Sequence, residues 1–319
     1  MTWTARPEAG AALGLRLFRA LARRGGRGVA RLFLWPVTLY YLLVRGPERA
    51  ASRAFLARVH GRPARLAEVA RHIHTFASTI LDRVFMLGGQ FDRFEIDVTG
   101  LDALHAALDQ RRGLLLFGSH LGSFEVLRVL ARRRPDVQVR VVLDVAHNRA
   151  LTQALDAIDP QIARTVIDAG QDGPSIVLAI KQATDAGALV ALLVDRARPG
   201  EGVRHAPLLG APAPFPVAPW LIASALGVPV VLAFGLYRGG RRYELAFEAF
   251  SDGILIARHE RAQALDALVA RYAARLQARV ASAPYNWFNF YDFWQADAAS
   301  TPGPDAAGAG RRAVERRAA

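Results

Sequence analysis

Residues 114–125 read LLLFGSHLGSFE, and the interpretation of this stretch decides the fold. Leu114–Phe117 is a short, unbroken apolar run, the signature of a strand buried on both faces. Two glycines, two serines and His120 follow, and a helical segment opens at Phe124. A strand that turns through a glycine-bearing loop into a helix is the repeating unit of a parallel α/β sheet. The carboxyl end of such a strand is where these sheets bind ligands.

The same alternation continues outward. Val137–Leu143, Arg164–Ile167, Ala188–Val194 and Val228–Phe234 read as further buried strands, with helices expected over Phe124–Leu130, Asn148–Ile158, Pro174–Ala186 and Pro216–Leu226. Tyr243–Phe250 alternates apolar and polar residues, as an antiparallel edge strand does. A long helix, about Ala257 to Val280, then precedes the aromatic run Tyr285–Trp294. The expected class is α/β: a mostly parallel sheet with helices on both faces, preceded by an amphipathic, apolar, membrane-associating helical arm.

Composition narrows the chemistry. The chain has 319 residues, 52% of them hydrophobic, enough for a large core and incompatible with wholesale disorder. No run approaches the roughly 18 apolar residues of a membrane-spanning helix, which argues against a polytopic protein. With no cysteine there are no disulfides, thiol nucleophiles or Cys-ligated metal centres.

Charge is unevenly distributed. The net charge is +13, yet residues 1–62 hold 12 Arg and two Glu, so about +3 remains for all the rest. Within this arm Leu13, Leu17 and Leu21 recur at helical spacing with Arg16, Arg19 and Arg23 between them, a basic amphipathic helix. Leu32–Val44, LFLWPVTLYYLLV, is too short to span a bilayer but suits an interfacial segment, with Trp35, Tyr40 and Tyr41 at headgroup depth. A buried core helix is the alternative. The expected division is an arm over 1–62, an α/β domain over 63–295 and a disordered Ala/Gly/Pro/Arg tail over 296–319.

The richest chemistry lies at His120 and Glu125. With His120 in the loop and Glu125 in the first helical turn, the carboxylate can accept a hydrogen bond from one imidazole nitrogen and leave the other as a base. A polar loop with a carboxylate at a helix start is the plainer alternative. No Gly-x-Ser-x-Gly elbow can be drawn through Ser119, and no His-Glu-x-x-His metal motif exists. His72 and His74 are expected to be structural or surface histidines, and Asp92, Glu95 and Asp97 a solvated face. Asp195, Arg196 and Arg198 follow a buried strand and are placed for substrate contact or a loop salt bridge. Asn148 and Arg149 open the helix after Val137–Leu143, Asn148 as a cap or a substrate contact.

In this order, the segments resemble the bacterial lipid A biosynthesis acyltransferase family, within the wider glycerolipid acyltransferases. The resemblance runs from the basic start to about Trp294. It is carried by His120-x-x-x-x-Glu125 after a strand, by Asn148, by Asp195-Arg196 and by the Leu208–Pro216 segment, LLGAPAPFP. It implies a His-carboxylate acyltransferase that needs no metal or other cofactor. The resemblance further implies an acyl thioester donor on acyl carrier protein or coenzyme A, a lipid acceptor, and peripheral or monotopic attachment of the enzyme to the cytoplasmic face of the inner membrane. The family's basic C-terminal segment is replaced here by aromatic Asn286–Trp294, which suggests an acceptor other than lipid A.

His120 is then the expected base, with Glu125 orienting it. The N–H groups of Gly122 and Ser123, or the Arg196 guanidinium, are candidates for oxyanion stabilisation. Phe124, Phe215 and the 287–294 aromatics are candidates for holding the acyl chain. The competing reading is a non-catalytic protein that binds a membrane surface or an acidic partner. Nucleic acid is not expected, because the positive charge sits beside an apolar segment.

Overall fold

The computed structural model describes residues 26–102, 104–105, 113–127, 129–130, 137–145, 165–198 and 200–294. The helix expected around Leu13–Leu21, the helix over Asn148–Ile158 with both Asn148 and Arg149, and the 296–319 tail lie outside the described residues.

Three helices come first: α1 (Leu34–Leu43), α2 (Gly46–His60) and α3 (Leu66–Leu87). The α/β part follows with β1 (Glu95–Thr99), β2 (Leu114–Gly118), β3 (Val139–Leu143), β4 (Val166–Asp168), α4 (Gly173–Asp185) and β5 (Leu189–Leu193). After it come β6 (Val203–Leu208), β7 (Ala211–Pro216), α5 (Ala218–Leu226), β8 (Val230–Gly239), β9 (Arg242–Ser251) and α6 (Arg261–Ser282). Seven strands form one sheet in the order β1-β9-β8-β2-β5-β3-β4, and every neighbouring pair is parallel except β8 and β9.

β2 is central, and all five of its residues are buried. Its side chains alternate between two cores, one on each face of the sheet. Leu115 and Phe117 join the larger core with Trp220 and Tyr272, whereas Leu114 and Leu116 join a second with Leu81 and Phe85. Full burial of a side chain of this size stabilises by about 1.5–3 kcal/mol, which is why an unbroken apolar run can sit only in the middle of a covered sheet.

One reading of the sequence is corrected, and one element it did not anticipate appears. Tyr243–Phe250 belongs to β9, which is antiparallel to β8 but not an edge, because β1 pairs along its other side. The alternating exposed residues of β1, including Glu95 and Asp97, mark the true edge. Leu208–Pro216 supplies the turn and second strand of a β6–β7 hairpin. The N–H of Val217 bonds the carbonyl of Gly202, which fixes the hydrogen-bonded parity on the odd residues of β7. Pro212, Pro214 and Pro216 all fall on the other parity, where the missing N–H costs the ladder nothing.

The helical arm is pinned to the sheet. Arg27 grips the buried carboxylate of Asp82 on α3 through Nε at 2.7 Å and Nη2 at 2.8 Å, and the Tyr243 hydroxyl on β9 donates to the same carboxylate at 2.9 Å. Removing Arg27 would strand a buried charge, a loss of about 3–5 kcal/mol. α1 is less covered. Leu34 and Thr38 are buried, but Leu32, Trp35, Leu39, Leu43 and Val44 are each more than half exposed. Leu32–Val44 is therefore a helix lying on α3 with an open apolar side, rather than a core helix. No helix among the described residues is long and apolar enough to cross a membrane.

Candidate active site

β2 and β5 are parallel neighbours in a register that pairs Gly118 with Leu193, and the N–H of Val194 bonds the Gly118 carbonyl at 3.0 Å. His120 stands two residues beyond the end of β2, and Asp195 two beyond the end of β5. Sheet register therefore brings together two residues 75 positions apart. The chain leaves β2 for β3 on one side and β5 for β8 on the other, the arrangement that opens a crevice at the carboxyl ends of strands.

Asp195 is fully buried. It accepts three hydrogen bonds: from His120 Nδ1 at 2.7 Å, from the His120 backbone N–H at 3.0 Å and from Trp287 Nε1 at 3.0 Å. Burial pushes its carboxyl up, but the His120 imidazole and the Arg196 guanidinium more than offset this and hold it at about 2. An ionised carboxylate only accepts, so Nδ1 carries the ring proton and Nε2 keeps its lone pair. The His120 side chain retains 30% of its exposure, so this base is not sealed in. Burial, followed by the positive charge of Arg196, lowers its pKa below the usual 6.5, while Asp195 acts in the opposite sense. The imidazole is accordingly neutral near pH 7.

The loop that carries His120 is clamped on both sides. The N–H of Phe288 donates to the His120 carbonyl at 2.9 Å, and the N–H of Gly122 donates to the Asn286 carbonyl at 2.8 Å. The N–H of Ser123 donates to the Gly235 carbonyl on β8 at 2.7 Å. Gly122 has φ +78°, and a Cβ there would stand 2.0 Å from the Gly235 carbonyl oxygen. A side chain at Gly122 would therefore push the loop off β8. From below, the Tyr272 hydroxyl on α6 donates to the Gly118 carbonyl at 3.2 Å.

Several candidate residues take other places than expected. Glu125 does not hold the imidazole: it lies in a 3-10 turn, accepts from the Ser123 hydroxyl at 3.0 Å and pairs with Arg83 of α3 at 2.7 Å. The Gly122 and Ser123 N–H groups are spent on carbonyls, so they are not open oxyanion donors. Phe215 on β7 is fully buried against Tyr272 and Phe293, where it is core rather than a pocket wall. Arg196 does reach the site. Its Nε donates to Asn289 Oδ1 at 2.6 Å and its Nη2 to the Phe288 carbonyl at 2.8 Å, and its guanidinium lies over the Tyr291 ring. Burial lowers the Arg196 pKa, with Tyr291 and Asp195 opposing, and it remains a cation.

Sequence reasoning missed Arg83, took Trp287 only as one of the aromatics that could hold the acyl chain, and placed Asp195 among substrate contacts. The available signal was an acid directly after a buried strand, in a unit whose neighbour carries the histidine. His72 is structural, as expected: it is buried between the Ser52 hydroxyl at 2.8 Å and the Trp287 carbonyl at 3.0 Å. Burial lowers its pKa to about 4, so it is neutral and donates to that carbonyl. α2 and α3 thus hold the Trp287 segment in place. Among the described residues no group of three or more His, Asp or Glu is arranged to hold a metal ion.

The site thus places a carboxylate-oriented histidine at the strand ends of a doubly wound α/β sheet. The model of the bacterial lipid A biosynthesis acyltransferases matches residues 66–296, and the chain belongs to that family. It is an acyltransferase, and the passive-binder alternative gives way to that membership. No curated protein matches the sequence.

Proposed function

We propose that the protein transfers a fatty acyl chain from a thioester carrier to a hydroxyl of a lipid acceptor at a membrane surface, with His120 as the general base. The observation that carries this reading is the 2.7 Å bond between His120 Nδ1 and Asp195, which leaves Nε2 free to take a proton. The acceptor oxygen attacks the thioester carbonyl as its proton passes to Nε2, and a tetrahedral intermediate forms. The carbon–sulfur bond then breaks, and the departing thiolate takes the proton back from the imidazolium. The products are an ester and a free thiol, with no covalent enzyme intermediate.

Asp195 fixes the tautomer and stabilises the transient imidazolium. Glu125 acts at one remove, fixing Ser123 and neutralising Arg83 beside the base. With the Gly122 and Ser123 N–H groups committed, Arg196 is the favoured stabiliser of the developing oxyanion. Asn148 and Arg149 remain proposed substrate contacts on the family resemblance. Residues 63–295 correspond closely to the matched segment and form the proposed acyltransferase domain.

The open apolar side of α1 and the arginines of residues 1–62 support a peripheral or monotopic attachment, and the family supports the cytoplasmic face of the inner membrane. Acyl carrier protein is the proposed donor carrier, because an arginine-rich protein attracts an acidic carrier. Coenzyme A is the alternative carrier, and an amine the alternative acceptor group.

The test is acyl transfer by detergent-solubilised protein from matched chains on each carrier, with the lipid product read by mass spectrometry. His120→Ala is expected to lose on the order of 10²–10⁴ in rate while melting at an unchanged temperature. Near-normal transfer by that variant overturns the mechanism.

A further inference from the structure

α2 bears a groove of about 800 Å³ on its outer side, and neither His120 nor Asp195 lines it. Its walls include Arg49, Arg53, Arg58 and Arg62, its floor includes Ala50 and Ala54, and no acidic residue lines it. Four cations around a small-residue floor present a positive concavity with room for a bulky anion. Arg53 is exposed and has no ion-pair partner among the described residues. The Arg58 guanidinium carbon lies over the Trp294 ring, 4.5 Å from its centroid, and Arg62 pairs with Glu68.

The surroundings of the groove identify its occupant. Residues 1–25 carry five Arg and one Glu, so charge disfavours that segment as a cover. A second copy, at +13, is disfavoured for the same reason. The groove begins at Gly46, directly after the end of α1, and Arg49 donates to the Leu42 carbonyl across this junction. The exposed apolar side chains Leu43 and Val44 end α1 within six residues of Arg49, and Leu39 lies one helical turn before them. An acidic protein would satisfy the cations but not the apolar strip. A lipid with an anionic headgroup satisfies both, with the phosphate against the arginines and the chains along α1.

We propose that the groove on α2 is a seat for the phosphate headgroup of an anionic membrane phospholipid, distinct from the acyl acceptor. The inference rests on the membrane-surface reading given above. Seated lipid would set the depth and tilt at which α1 lies in the interface, and with them the direction the His120 crevice faces.

The experiment is vesicle flotation with the full-length protein, using pure phosphatidylcholine vesicles and vesicles containing phosphatidylglycerol. Arg53→Gln is expected to weaken partitioning to the anionic vesicles by about fivefold, and Arg53→Glu by about 25-fold, with little change on phosphatidylcholine. Melting temperatures should match the wild type, because Arg53 is exposed. His120→Ala should float as the wild type does, so the result is independent of whether His120 is the base.

Three outcomes overturn the proposal. If charge reversal at Arg258, which does not line the groove, weakens flotation as much as reversal at Arg53, only net charge is being read. If Arg53→Glu leaves flotation intact but weakens binding of purified acyl carrier protein, the groove docks a protein. If the wild type floats with neither vesicle, the membrane-surface reading falls together with this one.

Discussion

His120 Nδ1 lies 2.7 Å from Asp195 Oδ1, and the same carboxylate takes the His120 backbone N–H through its other oxygen. A bond to both ring and main chain fixes the position of the imidazole as well as its tautomer. Asp195→Asn keeps the shape but presents an amide that can donate to Nδ1, which moves the ring proton to Nε2 and removes the base. Turnover should fall by roughly 10²–10⁴. A loss of less than about tenfold in steady-state assays would show that the carboxylate is not the orienting group.

The pH dependence follows from the same pair. The base works only when neutral, and burial with Arg196 lowers the His120 pKa from 6.5. Rate should therefore rise with pH through a midpoint below 6.5 and hold level through neutrality. Asp195, at about 2, stays ionised throughout this range. A kcat/KM profile measured from pH 4.5 to 8.5 checks this, and a midpoint above 6.5 contradicts it.

Trp287 Nε1 donates to Asp195 Oδ2 at 3.0 Å. Trp287→Phe keeps an aromatic ring but removes the donor, so the carboxylate holds more charge toward His120 and favours the imidazolium. The midpoint of the pH–rate profile should move upward, with kcat reduced about tenfold at pH 6 and less at pH 8. A purely packing role for Trp287 predicts a lower melting temperature with an unmoved midpoint.

Glu125 pairs with Arg83 rather than with the imidazole. Glu125→Gln and Arg83→Gln should therefore each reduce kcat/KM, while the double variant loses far less than their sum. A coupling of about 0.5–3 kcal/mol is the expected range for residues in contact. Additive losses in this cycle, with strong coupling between Glu125 and His120 instead, would restore the direct His-Glu dyad.

Much of the fold is legible in local sequence. Leu114–Phe117, Ala188–Val194 and Val228–Phe234 read as buried strands because only a covered sheet accepts unbroken apolar runs, and β2, β5 and β8 occupy them. The β6–β7 hairpin was hidden because four prolines in fourteen residues signal a loop. Their shared parity becomes meaningful only once the pairing partner is known. The edge assignment of Tyr243–Phe250 failed for a related reason: alternation reports unequal faces, not which strand lies alongside.

For the candidate site, sequence alone singled out His120 as the candidate base. His120 follows a buried strand through a glycine turn, a local pattern whose geometry depends on neighbouring residues. The absence of cysteine and of a serine elbow excluded two kinds of nucleophile, while the acyltransferase class came from the family resemblance. The partner of that base was decided only by tertiary structure. Glu125 is five residues away but is drawn to Arg83 on α3, whereas Asp195, 75 residues distant, stands beside His120 because β2 and β5 are hydrogen-bonded neighbours. Strand order in a sheet is a property of the packed whole, and no local spacing encodes it.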